Sequence, residues 1–249
     1  MKKDLLILCT VILIFPGGST TKAQDDCCGL GSIFSSVLQS GIFGGYGFQQ
    51  YSAKGWNDYV STNLESQTVQ YDDFGFAHGW LVGANLIQLR EDDFLIGLKF
   101  YYQSVTENQE AAGTYLGETA TQELDLQINT WGFGMSFSYI VSKNFDIRIA
   151  DLYLTFPSMD LKNEIRTAST RITDEYESTD SNIGFSFDTG LVFYPAPPYI
   201  SIELIGGYAF FSAESMQTAD FDELITTSDF IDSGGFFASA VLTVGIPFE

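Results

Sequence analysis

The sequence predicts an all-β fold: an eight-stranded antiparallel up-and-down transmembrane β-barrel with long extracellular loops and short periplasmic turns. Three observations predict it. Eight segments alternate large apolar residues with glycine, serine or an occasional charge, their connections are alternately short and long, and an export signal precedes them. Hydrophobic residues make up 45% of the chain and aromatics 15%. Beyond the leader, no stretch approaches the roughly 20 consecutive apolar residues of a membrane helix.

In the leader, Lys2 and Lys3 precede an apolar run from Leu5 to Phe15, followed by Pro16, Gly17, Gly18 and small residues to Ala23. That pattern is a secretory signal peptide, too short to span about 30 Å of hydrocarbon as a helix. Cleavage after Ala23 divides the chain into a signal peptide at 1–23, a periplasmic segment at 24–40 and a barrel domain at 41–249. Cys27 and Cys28 are adjacent. Their Cα atoms lie about 3.8 Å apart, below the usual bridge range of about 4.4 to 6.8 Å, so an incidental or intermolecular thiol pair is expected. Gln24, Asp25 and Asp26 before them argue against a lipid anchor.

The first strand, near Gly41 to Tyr51, is weakly patterned. The second sets Phe74, Phe76, His78, Trp80, Val82, Ala84 and Leu86 on one face and Gly75, Ala77, Gly79, Leu81, Gly83 and Asn85 on the other. After the turn at Arg90 to Asp93 the third sets Phe94, Ile96, Leu98, Phe100 and Tyr102 opposite Gly97, Lys99, Tyr101 and Gln103, which makes a hairpin. The fourth is the most regular, with Trp131, Phe133, Met135, Phe137 and Tyr139 against Gly132, Gly134, Ser136 and Ser138. Upstream of it the apolar phase moves to Leu124, Leu126 and Ile128, which predicts either a bulge near Asn129 or an extension beyond the membrane.

The fifth strand begins with Phe145, Ile147 and Ile149 alternating with Asp146, Arg148 and Ala150. The sixth carries Ile183, Phe185, Phe187, Leu191 and Phe193 against Gly184, Ser186, Asp188 and Gly190, and Pro195, Pro197 and Pro198 end its pairing. The seventh carries Ile200, Ile202, Leu204, Tyr208 and Phe210 opposite Ser201, Glu203, Gly207 and Ala209. The eighth carries Phe236, Ala238, Ala240, Leu242, Val244, Ile246 and Phe248 opposite Ser239, Thr243 and Gly245.

Short connections fall around Arg90, Ser142 and Pro195, and long ones span Ser52 to Asp73, Val105 to Gln122, Ser158 to Asn182 and Glu214 to Ser233. Strict alternation puts every long loop at one end, and an even strand count leaves both termini periplasmic. The competing architecture is a soluble barrel with the bulky face inside. An eight-stranded bore is just wide enough to be filled by side chains, so packing every Trp, Phe and Met inward would overfill it, while the small face carries too little charge to face water.

With this strand rhythm, leader and loop asymmetry, the chain over Gly41 to Glu249 resembles the small outer-membrane β-barrel proteins of the OmpA transmembrane-domain, OmpX and OmpW type. The resemblance implies residence in the outer membrane of a Gram-negative bacterium, contact with outer-membrane lipid and lipopolysaccharide, and insertion by the outer-membrane assembly machinery. That machinery reads a terminal strand of which Thr243, Gly245 and Phe248 match the early part, whereas the chain ends at Glu249 without the final aromatic. A peptidoglycan-binding tail of the OmpA kind is expected to be absent.

Five charged residues project from lumen faces near the short-turn end: Lys99, Asp146, Arg148, Asp188 and Glu203. Unpaired burial of charge costs several kcal/mol, so these groups are expected to form one paired layer, either a structural plug or the constriction of a narrow ion path. Arg148 is its expected centre, bound to Asp188 and Glu203, because a guanidinium can satisfy two carboxylates.

Elsewhere charge is one-sided, with 32 Asp and Glu against 11 Lys and Arg, a net of −21. Nucleic acid is thereby excluded as a partner. Glu214, Asp220, Asp222, Glu223, Asp229 and Asp232 crowd the last loop, so cationic or divalent-ion ligands are candidates there. The stretch Asp220, Phe221, Asp222, Glu223 nevertheless lacks the glycine and spacing of a calcium loop.

In the first loop, Trp56, Tyr59, Val60 and Leu64 have helical spacing and suit a short amphipathic helix over the barrel mouth. Ile33 to Leu38 reads as a short helix or an extra strand. The one histidine, His78, falls on the lipid face, a poor place for a general base, and no cofactor motif is present. The expected role is therefore structural or surface-interacting through acidic extracellular loops, without catalysis. A narrow passive pore for small cationic solutes is the alternative, and an outer-membrane lipid-modifying or hydrolytic enzyme a more distant one.

Overall fold

A strand with one bulky and one small face needs a neighbour on each edge, and this chain supplies them by closing on itself. The computed structural model describes residues 39–64, 71–91, 93–115, 117–178, 182–197, 199–218 and 224–247. The expected leader, Ile33 to Leu38, Cys27, Cys28, Phe248 and Glu249 lie outside them.

The elements are β1 (Gln39–Ser52), α1 (Lys54–Tyr59) with a following π-helical turn (Val60–Leu64), β2 (Phe76–Glu91), β3 (Phe94–Tyr115), β4 (Glu118–Ser142), β5 (Phe145–Thr167), β6 (Arg171–Ser178), β7 (Gly184–Ala196), β8 (Ile200–Phe210), β9 (Ala213–Thr218), β10 (Leu224–Ile231) and β11 (Ser233–Pro247). Antiparallel pairing runs β1-β2-β3-β4-β5-β7-β8-β11 and returns from β11 to β1, so eight strands form a closed ring. Three further strands, β6, β9 and β10, pair in that order outward from β5, above the ring.

Face assignment follows the expected alternation. Trp80, Phe100, Trp131, Phe133, Phe185, Phe187, Leu204 and Leu242 all point outward and exposed, an apolar belt suited to hydrocarbon. The glycines of the small face make room for rings arriving from adjacent strands: a Cβ at Gly132 would strike Tyr101, one at Gly134 would strike Tyr153, and one at Gly83 would strike Phe43. These rings fill most of the bore, as an eight-stranded barrel allows. At the belt's upper rim, Trp80 and Trp131 flank Tyr102 at ring separations of 5.4 and 4.6 Å, and Tyr102 Oη donates to Asn129 Oδ1 at 2.9 Å. Amphipathic rings of this kind belong at a membrane–water interface.

Above that rim three of the expected loops are strands. β3, β4 and β5 run for 22, 25 and 23 residues, about twice the 9 to 11 that a tilted membrane strand needs. The segment 105–122 is a continuation of the β3–β4 hairpin, 158–182 contains the end of β5 and all of β6, and 214–233 contains most of β9 and all of β10.

The apolar phase change before Asn129 is likewise an extension, not a bulge, since β3 and β4 pair without a register break from Phe94–Tyr139 to Tyr115–Glu118. The inward positions stay even throughout β4. Below the rim they are Gly132, Gly134, Ser136 and Ser138; above it they are Ile128, Leu126 and Leu124, all fully buried. The outward positions change in the opposite sense, from Trp131 to Asn129, Gln127 and Asp125. Lipid outside and a polar bore give way to water outside and an apolar core.

That core caps the barrel. Trp56 of α1 is 1% exposed and packs on Phe230 at 4.9 Å and Phe74 at 6.0 Å, among Leu124, Leu126, Ile128, Met159 and Phe211. Asn57 clamps the backbone of Phe74 both ways, donating from Nδ2 to its carbonyl at 3.0 Å and accepting its N–H at 2.9 Å. Glu107 accepts from Tyr51 Oη at 2.7 Å and from the N–H groups of Gly75 and Phe76 at 3.0 and 2.6 Å, which pins the returning first loop. The helix expected at Trp56, Tyr59 and Val60 thus serves as a lid.

Candidate functional site

The barrel lumen beneath the lid carries the charge layer, and a bulge decides its membership. Between β5 and β7, Arg148 pairs with Gly190 but Asp151 pairs with Asp188, and the β4–β5 register shifts at the same level. One extra residue reverses the inward parity of β5, so that Arg148 and Asp151 both enter the bore, while Ile149 and then Leu152, Leu154 and Phe156 face out.

Four of these groups form a closed set of ion pairs. Lys99 Nζ donates to Asp151 Oδ2 at 3.0 Å and stands 3.6 Å from Glu203 Oε2. Arg148 Nη1 lies 2.6 Å from Glu203 Oε2 and 3.2 Å from Asp151 Oδ2, as an ion pair without good hydrogen-bond alignment. Neutral donors complete the carboxylates: Tyr153 Oη donates to Asp151 Oδ2 at 3.0 Å and Thr243 Oγ1 to Glu203 Oε1 at 2.9 Å. Each charged side chain in the quartet is at least 94% buried. Phe43 stacks beneath the Lys99 ammonium, 5.7 Å from ring centroid to Nζ.

Of the five residues expected in one layer, Lys99, Arg148 and Glu203 meet. Arg148 takes Asp151 as its second carboxylate in place of Asp188, because the bulge brings Asp151 to its side. Asp188 lines the chamber above without an ion pair among the described residues. Asp146 lies on the other side and accepts from Tyr194 Oη at 2.7 Å. Asp151 escapes a reading that continues the first parity of the fifth strand. Its signal is the move of the outward apolar residues from Phe145, Ile147 and Ile149 to Leu152, Leu154 and Phe156.

The layer separates two cavities. A chamber of about 50 Å³ lies toward the lid, bounded by Tyr101, Tyr153, Asp188 and Phe211, and one of about 20 Å³ lies toward the short turns, bounded by Gln88, Ser138, Tyr194 and Ser201. Arg148 and Glu203 line both.

The other expected sites are placed as follows. His78 is exposed on the outer face and shares a 2.6 Å hydrogen bond between Nδ1 and Tyr46 Oη. In the acidic last loop, Asp232 Oδ2 accepts from the backbone N–H of Lys54 at 2.9 Å and from Ser52 Oγ at 3.2 Å, tying β10 to α1. Asp220, Asp222 and Glu223 lie outside the described residues. Among the described residues no three His, Cys, Asp or Glu side chains are grouped to hold a metal ion.

The extension has a charge cluster that the sequence reading passes over. Glu164 is 2% exposed under three cations: Arg166, Arg171 at 2.6 Å and Lys162 at 3.2 Å. Hydrogen bonds from Arg166 and then Arg171 hold its carboxyl down at about 2, from an ordinary value of 4.5. Because the folded value is the lower one, its stabilisation is present above about pH 4.5 and is lost as pH falls toward 2. Hydrogen exchange across the β5–β6 pairing should therefore accelerate over that window, and Glu164→Gln should remove this pH dependence. The effect is screened by salt because the cations are 42 to 62% exposed.

No family model matches the sequence, and no curated protein matches it. Among solved structures, the attachment invasion locus protein Ail of Yersinia pestis, in complex with the heparin analogue sucrose octasulfate, is 10% identical with a TM-score of 0.38, covering 84% of this chain and 99% of Ail. The outer membrane protease OmpT from Escherichia coli is 10% identical with a TM-score of 0.43, covering 85% and 95%. Neisserial surface protein A is 12% identical with a TM-score of 0.37, covering 82% and 96%. The closed ring of eight strands itself carries the fold assignment.

Proposed function

We propose that this chain is an outer-membrane barrel whose work is done outside the cell, by a rigid sheet raised on a sealed anchor. The observation that supports this most is the inversion of face polarity along β4 at Asn129 and Trp131, which marks where lipid ends and leaves twelve further residues of folded strand, from Glu118 to Asn129, in water. Such an extension, with its own apolar core and on a chain whose full sequence carries a net −21 charge, suits a surface-interaction role toward cationic partners. Outer-membrane lipid and lipopolysaccharide are the partners of the belt, and the outer-membrane assembly machinery that of the folding chain. Catalysis is not part of this reading, which is supported by the position of His78 on the lipid face.

The test is display and adhesion. With the protein expressed in a Gram-negative host, an epitope inserted at Gly117, the tip of the β3–β4 hairpin with φ of 87°, should be labelled on intact cells. Cells should bind cationic surfaces in a salt-sensitive manner, and shortening β3–β4 to the rim should abolish binding while the barrel still assembles. An unlabelled tip, or equal binding by the shortened variant, sinks the proposal.

The two cavities sharing Arg148 and Glu203 favour a second reading, a narrow passive pore constricted at the charge layer. The lid argues for silence of the wild type in planar bilayers. Discrete cation-selective steps that grow in Arg148→Ala would favour the pore instead.

A further inference from the structure

The lumen charges do not balance. Lys99 and Arg148 provide two positive charges, and Asp151, Glu203 and Asp188 provide three negative ones, all buried in the bore, with Asp188 the cross-strand partner of Asp151. Asp146 stands apart from this set on the turn side, where Tyr194 Oη donates to it and the charges of Arg90 and then Arg148 reach it. Asp151 and Glu203 share both cations, so the surplus falls on Asp188. Its side chain is 3% exposed, and its Oδ1 is buried without a hydrogen-bond partner among the described residues. A buried carboxylate in that condition calls for a neutralising partner.

Asp188 faces the chamber of about 50 Å³. The same chamber is lined by Thr130, Thr155, Ser186, Gln103 and Tyr101, whose side chains carry neutral oxygens. One water needs roughly 10 to 15 Å³ of such space, so the chamber has room for a small ion with two or three waters. We propose that the chamber is a binding site for one monovalent metal cation of sodium or potassium size, held by the Asp188 carboxylate with neutral oxygens of the chamber lining.

The competing neutralisers fit less well. A divalent ion would replace a surplus of −1 with one of +1, and hard divalent ions draw on several carboxylates where this wall has one free. A proton would neutralise Asp188 but make no use of the chamber or its oxygens. Access is limited by the lid above and the ion-paired layer below, so the ion enters during folding or slow opening and leaves slowly.

The experiment refolds the full chain into detergent in sodium, potassium or choline chloride at equal ionic strength. Alkali metal retained after gel filtration is then measured, together with the thermal midpoint. The wild type should retain about one alkali cation per chain, and its midpoint should rise by about 3 °C for each tenfold increase in free sodium above the dissociation constant, with no rise in choline. Asp188→Asn should lose both the retained cation and the difference between sodium and choline. Thr155→Val, which keeps the charge balance and removes one oxygen, should reduce retention severalfold, and it serves if the Asp188 variant does not assemble.

Equal retention in wild type and both variants places the ion elsewhere, at the acidic surface, and overturns the proposal. So does a wild type indifferent to the cation that shows, at neutral pH, a protonated-carboxyl infrared band lost in Asp188→Asn, since the neutraliser is then a proton.

Discussion

Arg148→Ala is expected to lower the unfolding free energy of the refolded barrel by about 3 to 5 kcal/mol, the usual cost of stranding buried charge by removing one partner. The change leaves Lys99 as the one cation for Asp151 and Glu203, both nearly inaccessible to water. Urea titration in detergent micelles measures the loss. A double variant, Arg148→Ala with Glu203→Gln, restores the balance of the quartet and should recover more than half of it, because the penalty comes from the orphaned carboxylate. If the double variant is as unstable as the sum of the two singles, Arg148 acts by filling space and the quartet is not an electrostatic unit. Because the apolar lid stands above the layer, the single variant should still be silent in bilayers.

Trp56→Ala should have an effect of similar size in a different place. Truncating a fully buried aromatic costs about 3 to 5 kcal/mol through lost transfer energy and the cavity left behind. Trp56 also bridges α1 to Phe74 and Phe230, the contacts that close the mouth. The loss should therefore appear as local opening. Amides of β9, β10 and the first loop should exchange rapidly, while those of the eight ring strands below the rim keep their protection. Uniform loss of protection over the ring would show instead that lid and barrel unfold as one. Opening the lid is also the condition under which the combination with Arg148→Ala should first conduct ions.

Much of this architecture is legible in period-two patterning. Among the described residues, the bulky residues of the second, third, fourth, sixth, seventh and eighth segments point outward, except Phe74 at the head of the second, which is 3% exposed in the lid core because it lies above the rim. The turns at Arg90, Ser142 and Pro195 all join ring strands at one end. What the pattern conceals is a change of solvent. Leu124, Leu126 and Ile128 look out of phase with Trp131 to Tyr139 only if apolar always means outward. Once the strand leaves the bilayer, apolar means inward, and the unbroken β3–β4 register shows a single phase throughout.

Polar content above the rim likewise reads as loop, since an outward face of Asn, Gln and Glu has no alternation of its own until the inner face is recognised. The charge layer is legible in part for a related reason. Lys99, Arg148 and Glu203 can be placed by counting from the turns, but Asp151 requires noticing one inserted residue in β5. Glu164 and its three cations depend on β6 folding back on β5, which no local signal announces.

The continuity of β3, β4 and β5 has a mechanical consequence. The ladder between β3 and β4 holds 22 register pairs from the short turn to the tip, and β4 and β5 pair over a comparable length, with no hinge at the membrane surface. A load applied at the hairpin tip and directed away from the cell pulls along the strands. The β4–β5 bonds then resist in shear, many at once, where peeling would break them singly, and the force passes down the same strands into a ring held on all sides by lipid. Rupture under tension should follow the slow unfolding rate of the whole barrel and not the opening of a flexible stalk. A tether built this way transmits pull to the envelope instead of yielding to it.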